Sequence, residues 1–469
     1  MNRLSAMDAG FLFGESRATP LHVGGLYLFT VPEDRDESEF YQDLLEILRG
    51  TTEYRRPFGH KVHSTPLGPA GPIYWVPDER FDVDYHIRHS ALPKPGRYRE
   101  LFALTSRLHQ TLLDRNRPLW EVHLIEGLQN RQFALYSKIH HAVIDGVGGV
   151  RLAKTILSED PSDRREHSPF SIEAERMARG QRRKRTSERD EPGELELRRV
   201  LELLGKHYGV SPTLFRGLRR YLKAWWQPED RGLRTAWSQV PQTSFSTKVT
   251  GARRFVAQSY SLERVRAVGK ALGGTINDVV LAMCGGALRK YLQAQNELPA
   301  TPLSALTPVS VRSAGDSDLG NAVGALTANL ATHIADPGER FSVIVASMNE
   351  GKSLLREMTP KEVTLFSQLT QAPPLLVGML GLGDRFPPYS TVISNVPGPS
   401  APMFWNGARL DGMYPVSAVF HGFALNITLL SNADQLDFGV IACRASVPSC
   451  QRIIDYLEEA LAELEAVAG

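Results

Sequence analysis

The chain has 469 residues, 42% of them hydrophobic and 23% charged, and its formal net charge is only +2. That length suits two domains of roughly 150–200 residues, and the charge balance argues against a globally basic nucleic-acid binder. Cys284, Cys443 and Cys450 form no CxxC pair, which argues against a disulfide framework or a cysteine zinc site and suits a reducing compartment.

The N-terminus has no basic segment followed by an apolar run, and no stretch of about 18 apolar residues occurs anywhere. The expectation is a cytoplasmic chain without a membrane span. In chain order, Val23–Phe29 reads as a strand. Glu39–Leu48 carries Phe40, Leu44, Leu45 and Leu48 at helical spacing, and Arg99–Leu113 lines up Leu101, Leu104, Leu108 and Leu112. Trp120–Leu124 and Gln132–Ile139 read as strands. In the latter, Phe133, Leu135, Ser137 and Ile139 share one side and Ala134, Tyr136 and Lys138 the other. Gly149–Leu157 reads as a helix. These elements make a first domain over residues 1–158.

Residues 159–244 have the character of a connection. Arg182-Arg183-Lys184-Arg185 lies in a polar run that reads as an exposed linker, and Glu194–Leu204 reads as helical. Thr213–Trp226 gathers Leu214, Phe215, Leu218, Tyr221, Leu222 and Trp225 on one face, with Arg216, Arg219, Arg220 and Lys223 elsewhere. Such a basic amphipathic helix either packs across a domain junction or lies on a lipid surface.

The second domain spans residues 245–469. Phe255–Ser261, Leu303–Val311, Gly324–Leu330, Thr391–Ser394, Gly412–Val419, Ala424–Leu430 and Leu436–Ala442 read as strands. Leu262–Leu272, Ile276–Ala294 and Ser449–Ala466 read as helices. Both halves mix strands and helices, the pattern of packed α/β layers rather than of a bundle or a sandwich.

The chemistry concentrates at His140-His141-Ala142-Val143-Ile144-Asp145-Gly146, between a strand and a helix. A neutral histidine takes a proton from a hydroxyl near pH 7 and returns it as imidazolium. A nearby carboxylate, Asp145, orients the ring or caps the following helix. Gly146 is expected to permit a backbone conformation closed to other residues. The further ligands of a zinc motif such as H-E-x-x-H are missing, so no metal is expected. No Gly-x-Ser-x-Gly elbow is present, which disfavours a serine acyl-enzyme.

This segment resembles the HHxxxDG signature of CoA-dependent acyltransferases. Pro118-Leu119-Trp120-Glu121-Val122-His123, Asn277-Asp278 and Asn395-Val396-Pro397-Gly398-Pro399 resemble motifs of bacterial wax ester synthase/diacylglycerol acyltransferases. So do Pro20-Leu21-His22-Val23-Gly24, Pro308-Val309-Ser310-Val311-Arg312 and Ala424-Leu425-Asn426-Ile427. The resemblance covers the whole chain except the basic linker. It implies two chloramphenicol acetyltransferase-like α/β domains, with mixed sheets, flanking helices and an active-site tunnel between them. It also implies acyl transfer from long-chain acyl-CoA, a co-substrate rather than a cofactor, to a fatty alcohol or diacylglycerol. By carry-over, His141 is the general base, His140, Asp145 and Gly146 support it, and Asn277 and Asp278 contribute from the second domain.

Other residues carry two readings. Trp120, with Pro118 and Leu119, is a core anchor or a substrate contact. Asn277-Asp278 caps a helix or approaches the reaction centre. Arg312 pairs with a buried carboxylate or touches CoA phosphate. Asn395, Pro397, Gly398 and Asn426 line the tunnel or shape a rigid turn. After Asp-Gly the family often has Val-Ser-Gly, where this chain has Val147-Gly148-Gly149, so a serine role there is in doubt. The insoluble products make a peripheral contact with the inner membrane face or lipid inclusions an expected partner, and no nucleic acid is expected. The competing readings are a carrier-protein-dependent condensation enzyme, for which no carrier or adenylation segment is present, and a non-catalytic lipid binder, against which intact His141 and Asp145 argue. A plant-type enzyme is disfavoured by the missing Asp-Phe-Gly-Trp-Gly segment. Oligomeric state is not legible.

Overall fold

Gln132–His140, whose alternation gives it two unlike faces, runs inside a six-stranded sheet. The structure, a computed structural model, describes residues 2–64, 71–144, 146–176, 211–311, 322–379 and 381–469. The basic run around Arg183, the helix expected over Glu194–Leu204, Asp145 and Arg312 lie outside the described residues.

The elements of the first half are β1 (Asn2–Arg3), α1 (Ala6–Gly14), β2 (His22–Thr30), α2 (Glu37–Arg49), β3 (His60–Ser64), β4 (Ile73–Pro77), α3 (Val83–His86), β5 (Ile87–Ala91), α4 (Tyr98–Gln110), β6 (Trp120–Glu126), β7 (Gln132–His140) and α5 (Gly146–Lys154). There follow α6 (Pro212–Trp226), β8 (Arg253–Ser261), α7 (Leu262–Ala271), α8 (Ile276–Ala294), β9 (Ser304–Val311), β10 (Ala322–Asn329), α9 (Pro337–Arg356), α10 (Pro360–Met379), β11 (Thr391–Val396), β12 (Phe404–Trp405), β13 (Ala408–Val416), β14 (Leu425–Asn432), β15 (Gln435–Cys443) and α11 (Arg452–Ala468).

Two units result. The first holds residues 1–205, 396–418 and 430–437, and the second residues 206–395, 419–429 and 438–469. In the first unit the main sheet has the order β12-β13-β2-β7-β6-β5, beside a small β1-β4-β3 sheet. Gly412–Val419, expected among the strands of the second domain, falls largely in β13, which pairs antiparallel with β2 from Arg409↔Thr30 to Val416↔Gly24. Asp411 pins this pairing by accepting from Thr30 Oγ1 and from Gln132 Nε2, the latter at 2.9 Å. Trp405 adds a fully buried indole against Phe29, centroids 5.6 Å apart.

One face of β7 carries Phe133, Leu135 and Ile139 into the main core, with Phe29 of β2, Trp120 of β6 and Phe40 and Leu44 of α2. α2 begins with Asp36 capping the amides of Ser38 and Glu39 and ends at Gly50. The other face of β7 is polar yet buried. Lys138 Nζ donates to the carbonyls of Leu108 and Thr111, each at 3.0 Å, so it caps the end of α4, and it pairs with Glu121 across the sheet. Arg88 reaches the same carboxylate at 3.1 Å.

In the second unit the sheet order is β10-β9-β11-β14-β15-β8. α8 is buried from Asp278 to Leu288, starts with a Thr275–Asp278 capping box, and packs on α9 and α11. Among the described residues no single helix is long and apolar enough to cross a membrane. α7 and α8 together reach that composition but are bent by 99°.

Candidate active site

His140 is the last residue of β7 and His141 the first of the turn after it, and the rings of the two residues have different surroundings. Their backbones are clamped by two of the motifs read above. His140 N–H donates to Leu119 O at 2.9 Å and His141 N–H to Leu21 O at 3.0 Å. His140 is fully buried. Its Nδ1 accepts the Ala142 amide at 3.0 Å, which leaves Nε2 to carry the proton of the neutral ring. That Nε2 faces Glu15 Oε1 at 3.5 Å, an ion-pair distance longer than a good hydrogen bond.

Glu15 lies just past the end of α1, with its side chain only 2% exposed. It also accepts from the Leu21 amide and from Arg115 Nη2, both at 3.1 Å. Burial works against its charge, but contact with His140, the Leu21 amide and Arg115 outweighs burial and holds it below the usual carboxylate range. The carboxylate therefore ties the loop entering β2 to the end of β7.

His141 is only partly buried. Phe11 of α1 stacks on it, centroids 4.3 Å apart and planes 14° from parallel. Asp8, one turn earlier on α1, feels the charges of His141 and His140. Burial pushes its carboxyl up, against the opposing pull of a 2.7 Å hydrogen bond from Ser5 and of the two histidines. A small core of Leu4, Leu12, Ile73, Leu113, Leu119 and Ala142, with Phe11 and Val143 packed on it, holds α1 against the histidine turn.

Gly146 does not have the role expected of it. A Cβ there would meet nothing within 4 Å among the described residues, so no close packing requires glycine at this position. It opens α5 as an exposed residue, and its lack of a side chain leaves space beside the histidine turn. Val150, Leu152 and Ala153 anchor α5 in the main core.

Of the remaining candidates, Pro118, Leu119 and Trp120 stand next to the histidines in different capacities. Leu119 contributes its carbonyl to His140. Trp120 is a core anchor. It is fully buried, donates Nε1–H to Phe58 O at 2.8 Å, and stacks on Phe170 at 4.1 Å and His86 at 4.5 Å. Pro397 is exposed, and Gly398 takes part in a turn of the first unit, its amide donating to Ser431 Oγ at 2.9 Å. A Cβ on Gly398 would lie 1.9 Å from Ser431 O, so only glycine fits.

Asn277, Asp278, Asn395 and Asn426 belong to the second unit. Asn277 is half-buried on the first turn of α8. Asp278 is committed elsewhere: Oδ2 accepts from the Thr275 amide and hydroxyl at 2.9 and 2.7 Å, and Oδ1 pairs with Lys352 at 3.2 Å. Its work is capping and ion pairing. Asn426 is buried and accepts from Thr428 Oγ1 at 2.8 Å. Sequence reasoning missed Asp8, Phe11 and Glu15, which come from a segment more than 100 residues before the histidines. Among the described residues no group of three or more His, Cys, Asp or Glu is arranged to hold a metal ion.

Residues 4–280 match the wax ester synthase/diacylglycerol acyltransferase catalytic domain, and residues 319–465 match the WS/DGAT C-terminal domain. A Mycobacterium bovis protein provisionally named a diacylglycerol O-acyltransferase is 44% identical over 100% of both chains. The O-acyltransferase WSD of Acinetobacter baylyi is 39% identical over 100% of this chain and 98% of its own. The solved wax ester synthase/diacylglycerol acyltransferase of Marinobacter aquaeolei VT8 is 40% identical, covers 100% of each chain and superposes with a TM-score of 0.78. The first condensation domain of the CDA synthetase shares 16% identity at a TM-score of 0.57, covering 99% of this chain and 96% of its own, a likeness of fold. By these matches and by the motifs gathered around His140 and His141, the chain is a two-domain α/β O-acyltransferase that belongs to the wax ester synthase/diacylglycerol acyltransferase family.

Proposed function

We propose that the chain transfers a long-chain acyl group from acyl-CoA to the hydroxyl of a fatty alcohol or diacylglycerol, with His141 as general base. The reading rests on a partly buried imidazole stacked on Phe11 in the turn that follows β7. The ring removes the hydroxyl proton as the oxygen attacks the thioester carbonyl. The tetrahedral oxyanion collapses, the carbon–sulfur bond breaks, and the CoA sulfur takes the proton back from the imidazolium. No enzyme nucleophile is needed. His140, locked by Ala142 and Glu15, keeps the turn in place. Asp145 and Asn277 retain the supporting roles that the family resemblance implies.

The proposed place of action, a lipid surface, is supported by α6. Leu214 and Gly217 are buried, and Tyr221 meets Phe366 of α10 edge-on at 5.8 Å. Phe215, Leu222, Trp225 and Trp226 are exposed, beside exposed Arg216, Arg219 and Lys223. The helix therefore has one stripe packed on α10 of its own unit and another in water. A stripe of large apolar side chains edged by cations suits the surface of an anionic membrane or a lipid inclusion.

The test is to supply the purified chain with palmitoyl-CoA and either hexadecanol or diacylglycerol, following CoA release and the lipid product. Product with either acceptor is expected. No product with both would overturn the reading, and so would retained turnover in a folded His141→Ala variant.

A further inference from the structure

A guanidinium carries five N–H donors and no acceptor. Buried without partners, it is strongly unfavourable. The second unit satisfies most of its buried arginines. Arg253 donates to the carbonyls of Thr250 and Val419. Arg340 donates to those of Ile334 and Ala335, at 3.0 and 3.1 Å, and reaches Glu463 at 3.5 Å. Arg234 is different. It is 1% exposed, and Nε, Nη1 and Nη2 all lack a hydrogen-bond partner among the described residues. Asp230, four residues earlier, acts on Arg234 through its charge but does not hydrogen-bond it, and one of its carboxylate oxygens lies 3.3 Å from His333 Nε2.

Among the described residues, the surroundings carry hydroxyls and no hydrogen-bonded carboxylate. An isolated antiparallel bridge pairs Arg234 with Thr327 on β10. Residues paired in this way share a face of the sheet. Asn329, two residues after Thr327, lies opposite Ser304 of β9, which puts Ser304 on that face as well. Ser304 Oγ is buried without a partner among the described residues, as are Thr235 Oγ1 and Ser238 Oγ of the Arg234 segment, and Thr327 Oγ1 is buried beside the Tyr389 hydroxyl. Water could satisfy the hydroxyls, and the charge of Asp230 offsets part of the burial cost of Arg234, but no carboxylate among the described residues hydrogen-bonds the guanidinium. What this guanidinium and its neighbouring hydroxyls lack is a hydrogen-bonded anionic acceptor with more than one oxygen.

We propose that Arg234, with Thr327 and Ser304, forms an internal receptor for an oxyanion whose paired oxygens fit the guanidinium fork. The shared chemistry is that of a phosphoryl group or a carboxylate. A phosphoryl group borne by the acyl donor is one source, which rests on the acyl-CoA reading above. Free phosphate and a fatty carboxylate are sources that do not.

The experiment compares the full-length protein with Arg234→Met and Arg234→Lys. Thermal unfolding is followed in a zwitterionic buffer free of oxyanions, then with inorganic phosphate, CoA or palmitate, each against sodium chloride of equal ionic strength. At least one oxyanion should raise Tm of the unsubstituted protein by several degrees and leave Arg234→Met unmoved. Without oxyanion, Arg234→Met should melt at or above the unsubstituted protein, because an unpaired buried charge has been removed. Arg234→Lys keeps the charge without the fork and should bind at least tenfold more weakly by calorimetry, which decides the matter if the methionine variant does not fold. A CoA response tighter than that of phosphate assigns the site to the donor. A phosphate or palmitate response without a CoA response keeps the receptor and detaches it from acyl-CoA. Failure of all three oxyanions, equal responses in protein and variants, or a methionine variant clearly less stable in oxyanion-free buffer would overturn the proposal.

Discussion

Removal of the Glu15 carboxylate tests whether the first unit holds its histidine pair from below. In Glu15→Ala, the Leu21 amide and His140 Nε2 lose their acceptor at once, while half-exposed Arg115 recovers water. One buried amide left unpaired costs about 1–3 kcal/mol. Breaking a buried charged contact costs about 3–5 kcal/mol, and the 3.5 Å separation from His140 places this one below that range. A total of about 3 kcal/mol is expected, or a Tm drop of roughly 6–12 °C for a unit of this size. Glu15→Gln keeps an acceptor for Leu21 and loses only the charge, so about 1–2 kcal/mol is expected. Activity should follow the same order. With Nε2–H unpaired, His140 no longer holds one tautomer toward Ala142, the histidine turn loosens, and kcat falls at least tenfold in the alanine variant with little change in KM. The assays are thermal melts and CoA release from palmitoyl-CoA with hexadecanol. An alanine variant with the parent's Tm and kcat would refute the argument, and so would a glutamine variant as damaged as the alanine one.

Other perturbations follow from the same packing. Trp120→Ala empties the centre of the aromatic cluster and should cost about 3–5 kcal/mol in chemical denaturation, with a small effect on KM. Burial opposes ionisation of Glu121, but His123, Lys138 and Arg88 outweigh it and hold its carboxyl at about 2, below the ordinary 4.5. Its contribution to stability is therefore complete above about pH 4.5 and is lost as pH falls toward 2, and Glu121→Gln should flatten that part of a stability–pH profile. Replacing Phe215, Leu222 and Trp226 by serine should abolish binding to anionic liposomes while changing stability by less than about 1 kcal/mol, since these side chains are exposed; unchanged liposome binding would remove the anchor role. Gly398→Ala should destabilise by about 1–3 kcal/mol, because its Cβ would meet the Ser431 carbonyl, which cannot rotate away; a melt unchanged from the parent would count against that geometry.

Local information in the sequence was enough for most elements. The alternation of Gln132–Ile139 locates β7 within one residue, and the leucine spacing of Arg99–Leu113 locates α4 within three. The long helices α9 and α10 were not recognised. α9 is crossed by polar residues all round, and α10 contains Pro373 and Pro374, which read as helix breakers. Partnership between distant segments was not legible at all. Nothing in the composition of Ala408–Val416 says that its neighbour is β2, because strand pairing is recorded in hydrogen bonds between segments and not in either segment alone. The site divides in the same way. His140 and His141 were visible as a motif, whereas Glu15 became meaningful only once folding brought α1 to the end of β7. The side-chain pattern of α6 revealed an amphipathic helix but not which apolar residues would be covered, since that depends on the width of the contact with α10.

The insertion of β13 beside β2 also has a consequence for biosynthesis. The sheet that presents the histidines contains two strands, β12 and β13, made long after the rest of it has left the ribosome. At roughly 5–20 residues per second, β2 waits on the order of half a minute with one edge unpaired. An open strand edge is a template for association with other chains. The nascent first unit is thus an aggregation hazard that only completion of the polypeptide removes. A truncated product ending before β13 should be insoluble even though it contains both histidines.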